Sequence, residues 1–198
     1  MHTKFILASS SNSRYKILKH SGFSFIKIPP ETDEEKIKKQ ITEKKKPAFI
    51  AKKLSYEKAK SISIKKKYFY HTVIGCDTLI YIGDQIFDKA KNIREAKKKL
   101  AILSGKKHKI VSGVTIFNQG KKIYQFSETT QVKIRKLNKN NINNYLNKTG
   151  KQILSSVGCY QLEALGPVII EDIKGDFFNV MGLPLFKLLK YVSNNKWK

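Results

Sequence analysis

Apolar residues recur along this chain with two periods, near two positions and near 3.6, and the switches between them divide it into predicted strands and helices. Residues 4–8 (KFILA) form an almost unbroken apolar run that predicts a buried strand. A helix over 13–21 follows, with Ile17 and Leu18 inward and Gly22 as its stop. Residues 33–46 are dense in charge and predict a surface helix or loop. From Pro47 to about Ile64, the residues Phe49, Ile50, Leu54, Ala59 and Ile62 share one helical face. The stretch KKKYFYHTVIG leads into a strand, and LIYIGDQIF reads as two β runs about a Gly83-Asp84 turn. Asn92, with Glu95 three positions on, caps a helix that runs through Leu100 and Leu103 and ends at Gly105. Residues 108–118 and 122–134 predict long antiparallel strands around Gln119-Gly120. A short helix over 138–147 and a strand over 167–173 follow, and Pro184 opens a last helix reaching about Val192. No repeat or linker interrupts the pattern, so the expectation is one α/β domain over residues 1–198, a mixed sheet with helices on its faces.

Composition narrows the class. The length of 198 residues is enough to bury a proper core, and no apolar run approaches the ~18 residues of a membrane span. Phe5–Ala8 is too short for the ~7–15-residue core of a signal peptide. Cys76 and Cys159 are the two cysteines, without metal-type spacing, and read as small reduced core residues. These features predict a cytoplasmic protein. The net charge of +25 raises a nucleic-acid surface as a second reading. Yet Arg stands only at 14, 94 and 135, so lysine supplies nearly all of the 40 basic residues. Readers of nucleic acid lean on arginine for bidentate and stacking contacts. Lysine is instead spread along the chain with Ile and Asn, which fits a composition bias, and nucleic acid is not the expected partner. In either case the field attracts small phosphorylated anions.

Three stretches carry candidate chemistry. In FILASSSNSRYKIL, a strand turns into a helix through small polar residues. The backbone N–H groups and the positive helix end, the hydroxyls of Ser9 and Ser10, and the Arg14 fork together suit a phosphate. Read alone, the same stretch fits a serine-rich helix cap with a solvated arginine. In VIGCDT, Asp77 is expected just beyond a strand, where an open α/β sheet presents ligands, though a turn-forming or capping acid fits there too. In ETDEE, acidic residues stand out against a basic chain, and hard Mg²⁺ or Mn²⁺ takes oxygen ligands. There is no Walker lysine loop, zinc helix or nucleophile elbow. Together the stretches point to metal-assisted phosphoryl chemistry.

Seven motifs in order resemble the Maf family of nucleotide pyrophosphatases, almost end to end. They are LASSSNSR (7–14), TDE (32–34), EKA (57–59), IGCDT (74–78), FDKA (87–90), LSGKKHKIVSGV (103–114) and VGCYQLEALGPVIIEDIKGDFFNVMGLPL (157–185). The resemblance implies cleavage of nucleoside triphosphates between the α and β phosphates, giving a monophosphate and pyrophosphate. It implies a fold similar to the inosine-triphosphate pyrophosphatases: a long mixed sheet flanked by helices, with two lobes around a cleft. It also implies a cytoplasmic homodimer that needs a divalent cation, Mg²⁺ or Mn²⁺. By position, Asp77 falls on the catalytic acid that accepts a proton from water and Glu34 on a second acid that, with Asp77, holds the metal. Arg14, Lys58 and Lys89 fall on the cations that hold the triphosphate. The family's link to division arrest leaves a regulatory interaction protein as a further alternative.

Some positions depart from the pattern. The opening Pro-Arg-Arg is Asn12-Ser13-Arg14, and Ala90 replaces the usual proline. The three positions associated with base choice fall on Ser13, Thr78 and Glu163. Members acting on thymidine and uridine triphosphates carry Arg, Thr and Gln there, and those preferring 7-methyl-GTP carry Trp, Gln and Glu. This chain mixes the two sets, so the base stays open. His108 is expected to be a structural strand histidine, Tyr160 either to stack on a base or to pack, and Trp197 to lie in a frayed terminus.

Overall fold

The computed structural model describes residues 5–41 and 46–194. Lys4, residues 42–45 of the charged stretch, and Trp197 lie outside them. The chain opens with β1 (Phe5–Ala8), α1 (Asn12–His20), β2 (Phe25–Ile28), α2 (Glu34–Gln40) and α3 (Pro47–Ser63). It continues through β3 (Thr72–Ile82), β4 (Gln85–Phe87), α4 (Ile93–Leu103), β5 (Lys107–Asn118), β6 (Lys121–Ile134) and α5 (Lys139–Thr149). It closes with the one-turn α6 (Gly166–Ile169), β7 (Ile170–Lys174), the one-turn α7 (Phe177–Val180) and α8 (Leu185–Asn194). The β2 strand had no counterpart in the periodicity. Three of its four residues are half-buried and Ile26 is exposed, and it pairs in parallel with the edge that β1 offers.

Among the described residues the sheet runs β2-β1-β3-β5-β6-β7, with β4 paired to β3. β1 is parallel to β2 and β3, and every other pairing is antiparallel. This is the expected mixed α/β sheet flanked by helices. The two faces of β3 read directly from its alternation. Val73 and Leu79 face α3, where Ala51, Ala59 and Ile62 close the core. Ile74 and Cys76 face α1 and α8, packing with Ile17, Leu18, Leu185 and Leu188. Further along the same face, Ile80 joins a separate cluster with Leu100 and Leu103 of α4 and Tyr145 and Leu146 of α5. The two clusters on that face divide the core along the strand direction, with Thr78 of β3 between them.

One pairing detail concerns the same strand. β1 pairs with Thr72–Gly75 of β3 and stops at Ala8, while β4 pairs with Ile80–Ile82. β5 occupies the opposite edge over Thr72–Tyr81, so β1 and β4 share one edge of β3. Among the described residues no strand pairs with residues 76–79 on that edge. Cys76, Asp77 and Leu79 in this stretch are nonetheless buried, and Thr78 is partly exposed.

Candidate active site

Asp77 stands in the middle of β3, which corrects the expectation that it lies just beyond a strand. The strand continues because β5 pairs across it, Asp77 opposite Gly113, long after β1 has ended. Its side chain turns toward α3, which sits unusually close to the sheet. A Cβ on Gly75 would come within 2.3 Å of the Ser55 carbonyl oxygen, and one on Gly113 within 2.4 Å of the Ala51 backbone. The helix backbone therefore rests on two bare glycines, and this brings Lys58 down onto the carboxylate.

The Lys58 ammonium lies 2.6 Å from Asp77 Oδ1 and 2.7 Å from Glu34 Oε1. The Lys58 and Asp77 side chains are 8% and 7% exposed, while Glu34 is 45% exposed at the mouth. Burying either charge alone is unfavourable, and the pairing offsets that. Glu34 is the first residue of α2, where Asp33 caps the helix by accepting from the Lys36 amide, and acidic residues suit a helix N-terminus. Burial works against the Glu34 charge, but Lys58, then Lys38 and Lys89, hold its pKa below the ordinary carboxylate value. Lys89, in the loop after β4, has its pKa lowered by burial first and then by Arg14 and Lys58, against the pull of Glu34 and Asp77. Glu34, Lys58, Asp77 and Lys89 thus form one electrostatic cluster drawn from α2, α3, β3 and a loop.

The serine stretch is more committed than a free cradle. Ser11 caps α1 by accepting from the Arg14 amide, and Ser9 Oγ accepts from the Ser11 amide. Ser10 is exposed beside them. The Arg14 guanidinium donates from Nε to the Gly182 carbonyl (2.8 Å), from Nη1 to Ser9 Oγ (3.3 Å) and from Nη2 to Thr78 Oγ1 (2.9 Å). Thr78 faces away from α3, so Arg14 approaches β3 from the face opposite Asp77. Three protein acceptors hold the guanidinium, and α1, β3 and the turn before α8 meet there. Ser13, next in line on α1, donates to Glu163 across 150 residues, so two of the three base-associated positions touch and the third binds Arg14.

Several contributors were not legible beforehand. The Gly182 carbonyl accepts from Arg14 Nε, Cys76 Sγ and Thr78 Oγ1, and the residue sits at φ +99°, which its identity in GLPL signals only in hindsight. Ser112 on β5 hydrogen-bonds Thr78. Lys38 meets Asp88 at 2.6 Å. Two other expectations resolve toward structure. His108 is buried with Nε2 2.6 Å from the Tyr160 hydroxyl, and burial depresses its pKa to about 4. Tyr160 is itself buried and packs in the α4–α5 cluster, so the base-stacking alternative falls away. Cys76 and Cys159 are free, buried and in different clusters.

A divalent cation can be tested against these side chains. No group of three or more His, Cys, Asp or Glu converges among the described residues. Glu34 and Asp77 nonetheless share one ammonium, so two hard oxygen donors face a common point. Mg²⁺ is commonly held by one or two carboxylates plus substrate phosphates, and this pair fits that pattern.

Lys58, Lys89 and two carboxylates thus converge beside the stretch of β3 between its β1 and β4 pairings. The chain belongs to the Maf-like protein family, which it matches over residues 4–195. It is similar to the 7-methyl-GTP pyrophosphatase of Bartonella henselae, 38% identical over 184 residues that cover 93% of this chain and 91% of that one. It is 34% identical over 197 residues to the 7-methyl-GTP pyrophosphatase of Brucella abortus, covering 99% and 98% of the two chains. The nucleoside triphosphate pyrophosphatase of Caulobacter vibrioides is 34% identical over 191 residues, 96% and 94% of the two chains. These likenesses do not favour the readings of a nucleic-acid module or a regulatory partner protein. Among the described residues no helix is long and apolar enough to cross a membrane.

Proposed function

We propose that this protein is a nucleoside triphosphate pyrophosphatase that hydrolyses the α–β phosphate bond to a nucleoside monophosphate and pyrophosphate. The observation that carries the reading is the Lys58 ammonium held between Asp77 and Glu34 at the open edge of β3, with Lys89 alongside. Lys58 and Lys89 neutralise phosphate oxygens, which otherwise repel the approaching water. The Asp77 carboxylate accepts a proton from that water as its oxygen bonds to phosphorus. The bridging bond then breaks and pyrophosphate leaves with the electron pair. Such general-base assistance is worth ~10²–10⁴-fold in rate. Glu34 and Asp77 are the residues that would hold Mg²⁺ or Mn²⁺, which when bound supplies further charge neutralisation at the phosphates. Arg14 orders the serine turn, leaving Ser9 and Ser10 at the phosphate end. Ser13, Thr78 and Glu163 stand toward the base, where the Glu163 carboxylate accepts hydrogen bonds only and suits a base edge bearing N–H groups. We infer one domain spanning the chain, acting as a homodimer in a reducing compartment, in keeping with two free cysteines.

The test is pyrophosphate release across common, methylated and deaminated triphosphates with Mg²⁺ or Mn²⁺. Activity on at least one, abolished in Asp77→Asn and by chelation, is expected. Lys58→Ala and Lys89→Ala should chiefly raise KM, and Glu163→Gln should change the ranking of bases. Undiminished turnover in Asp77→Asn would overturn the assignment.

A further inference from the structure

We propose that the Lys38–Asp88 ion pair is a positioning device that docks α2, and with it Glu34, against Lys58 and the Lys89 loop. It rests on the functional reading above. The α2 helix is seven residues long and buries none of them, so apolar packing does not set its place. Instead it is tied by two ion pairs on one face, Glu34 to Lys58 at its first turn and Lys38 to Asp88 one turn on. The two anchors differ in kind. Asp88 directly precedes Lys89, and its segment is fastened from behind. The buried Lys99 of α4 donates to the Asp88 carbonyl and to the Val157 carbonyl (3.0 Å), while Glu95 accepts from the Lys91 amide (2.9 Å). The loop is therefore the fixed part and α2 the docked part.

Charge fits the same assignment. Burial opposes the Lys38 ammonium, yet the hydrogen bond and charge of Asp88, with Asp77 and Glu34 behind them, leave its pKa raised. Lys38 also helps to hold the Glu34 carboxylate ionised. One side chain thus serves both to dock the helix and to complete the field around the acid it carries. The pair is only partly shielded, with side chains 35% and 74% exposed, so the effect of breaking it is bounded. Partly exposed pairs correspond to roughly 1.5- to 5-fold in an equilibrium constant, and salt screens them.

The experiment measures KM, kcat and the half-saturating Mn²⁺ concentration for Lys38→Gln, Asp88→Asn and the combined variant, at low and high salt. Each single variant should raise KM and the Mn²⁺ requirement about 2- to 5-fold with little change in melting temperature, and high salt should narrow the gap. The combined variant should be no worse than either alone, and Lys38→Arg should restore the native values. Because Lys38 acts through Glu34, Lys38→Gln should add nothing in a Glu34→Gln background. Additive losses there, or single variants indistinguishable from the native enzyme, would overturn the proposal. Amide hydrogen exchange over residues 34–40 reads the docking without turnover. It should speed up in both single variants, and unchanged exchange also overturns the proposal. Absence of pyrophosphatase activity in the native protein, with exchange responding as expected, would instead sink the functional reading alone.

Discussion

Substituting Gly75 by alanine tests whether helix-on-sheet contact at a bare backbone is what sets the Lys58–Asp77 distance. The added Cβ would lie 2.3 Å from the Ser55 carbonyl oxygen, 2.7 Å from the Ala59 nitrogen and 2.9 Å from the Ala59 Cβ. Optimal separations between nonbonded carbons are ~3.5–4 Å, so α3 must retreat by roughly 1 Å. Nothing flexible absorbs the clash, because two of the three contacts are backbone atoms. Overpacking of this kind costs about 1–3 kcal/mol. For a chain of this size each kcal/mol lowers the melting temperature by ~2–4 °C, so a fall of about 2–12 °C is expected. The same retreat would stretch the 2.6 Å contact between Lys58 Nζ and Asp77 Oδ1 past hydrogen-bonding range. Misplacement by ~1 Å can lower turnover by ~10²-fold. Thermal unfolding and pyrophosphate release on the same preparation measure both effects. A Gly75→Ala protein with native melting temperature and native turnover would refute the contact reasoning, since it would mean that α3 does not rest on β3 there.

Arg14 and His108 supply two further predictions. Arg14→Lys replaces a planar fork with one ammonium that cannot serve Ser9, Thr78 and Gly182 together. A melting temperature lower by several degrees is expected alongside any rise in KM; a change in KM alone would mean that the guanidinium serves the phosphate and not the fold. For His108, burial lowers the folded pKa to about 4 from an ordinary 6.5. Above pH 6.5 neither state binds the proton. Between 6.5 and 4 the unfolded chain takes it first, so stability is lost as the pH drops from 6.5 to 4, by up to about 3 kcal/mol from this group. Denaturant titrations at pH 7 and pH 4 should find His108→Phe losing less stability on acidification than the native protein. Equal losses would show that the imidazole does not stay neutral in the fold.

Much of the architecture was legible because it rests on local signals. The apolar face of α3, the Asn92 cap of α4 and the Gly83-Asp84 turn need only residues within a few positions of one another. The long β5–β6 hairpin likewise announces itself by alternation about Gln119-Gly120, both of which take positive φ. Asp77 and the acidic ETDEE stretch stood out from the residues themselves and Lys58 and Lys89 from motif resemblance, and the structure places Glu34, Lys58, Asp77 and Lys89 in one charge cluster. Where the reading fell short, the missing information was nonlocal. Asp77 lies mid-strand because β5 supplies a partner beyond the point where β1 ends. Tyr160 is buried in the core with its hydroxyl against His108, 52 residues earlier.

The sequence by itself determined most of the strands and helices, β2 and the one-turn helices α6 and α7 aside, and which residues carry charge, since backbone preference and side-chain chemistry are properties of neighbouring residues. Only the tertiary structure decided that Arg14 would be held by Gly182, 168 residues away, and that two bare glycines would bring α3 close enough for one ammonium to hold two carboxylates. Those outcomes depend on how far apart packed surfaces come to rest, a distance that no single segment of the chain encodes.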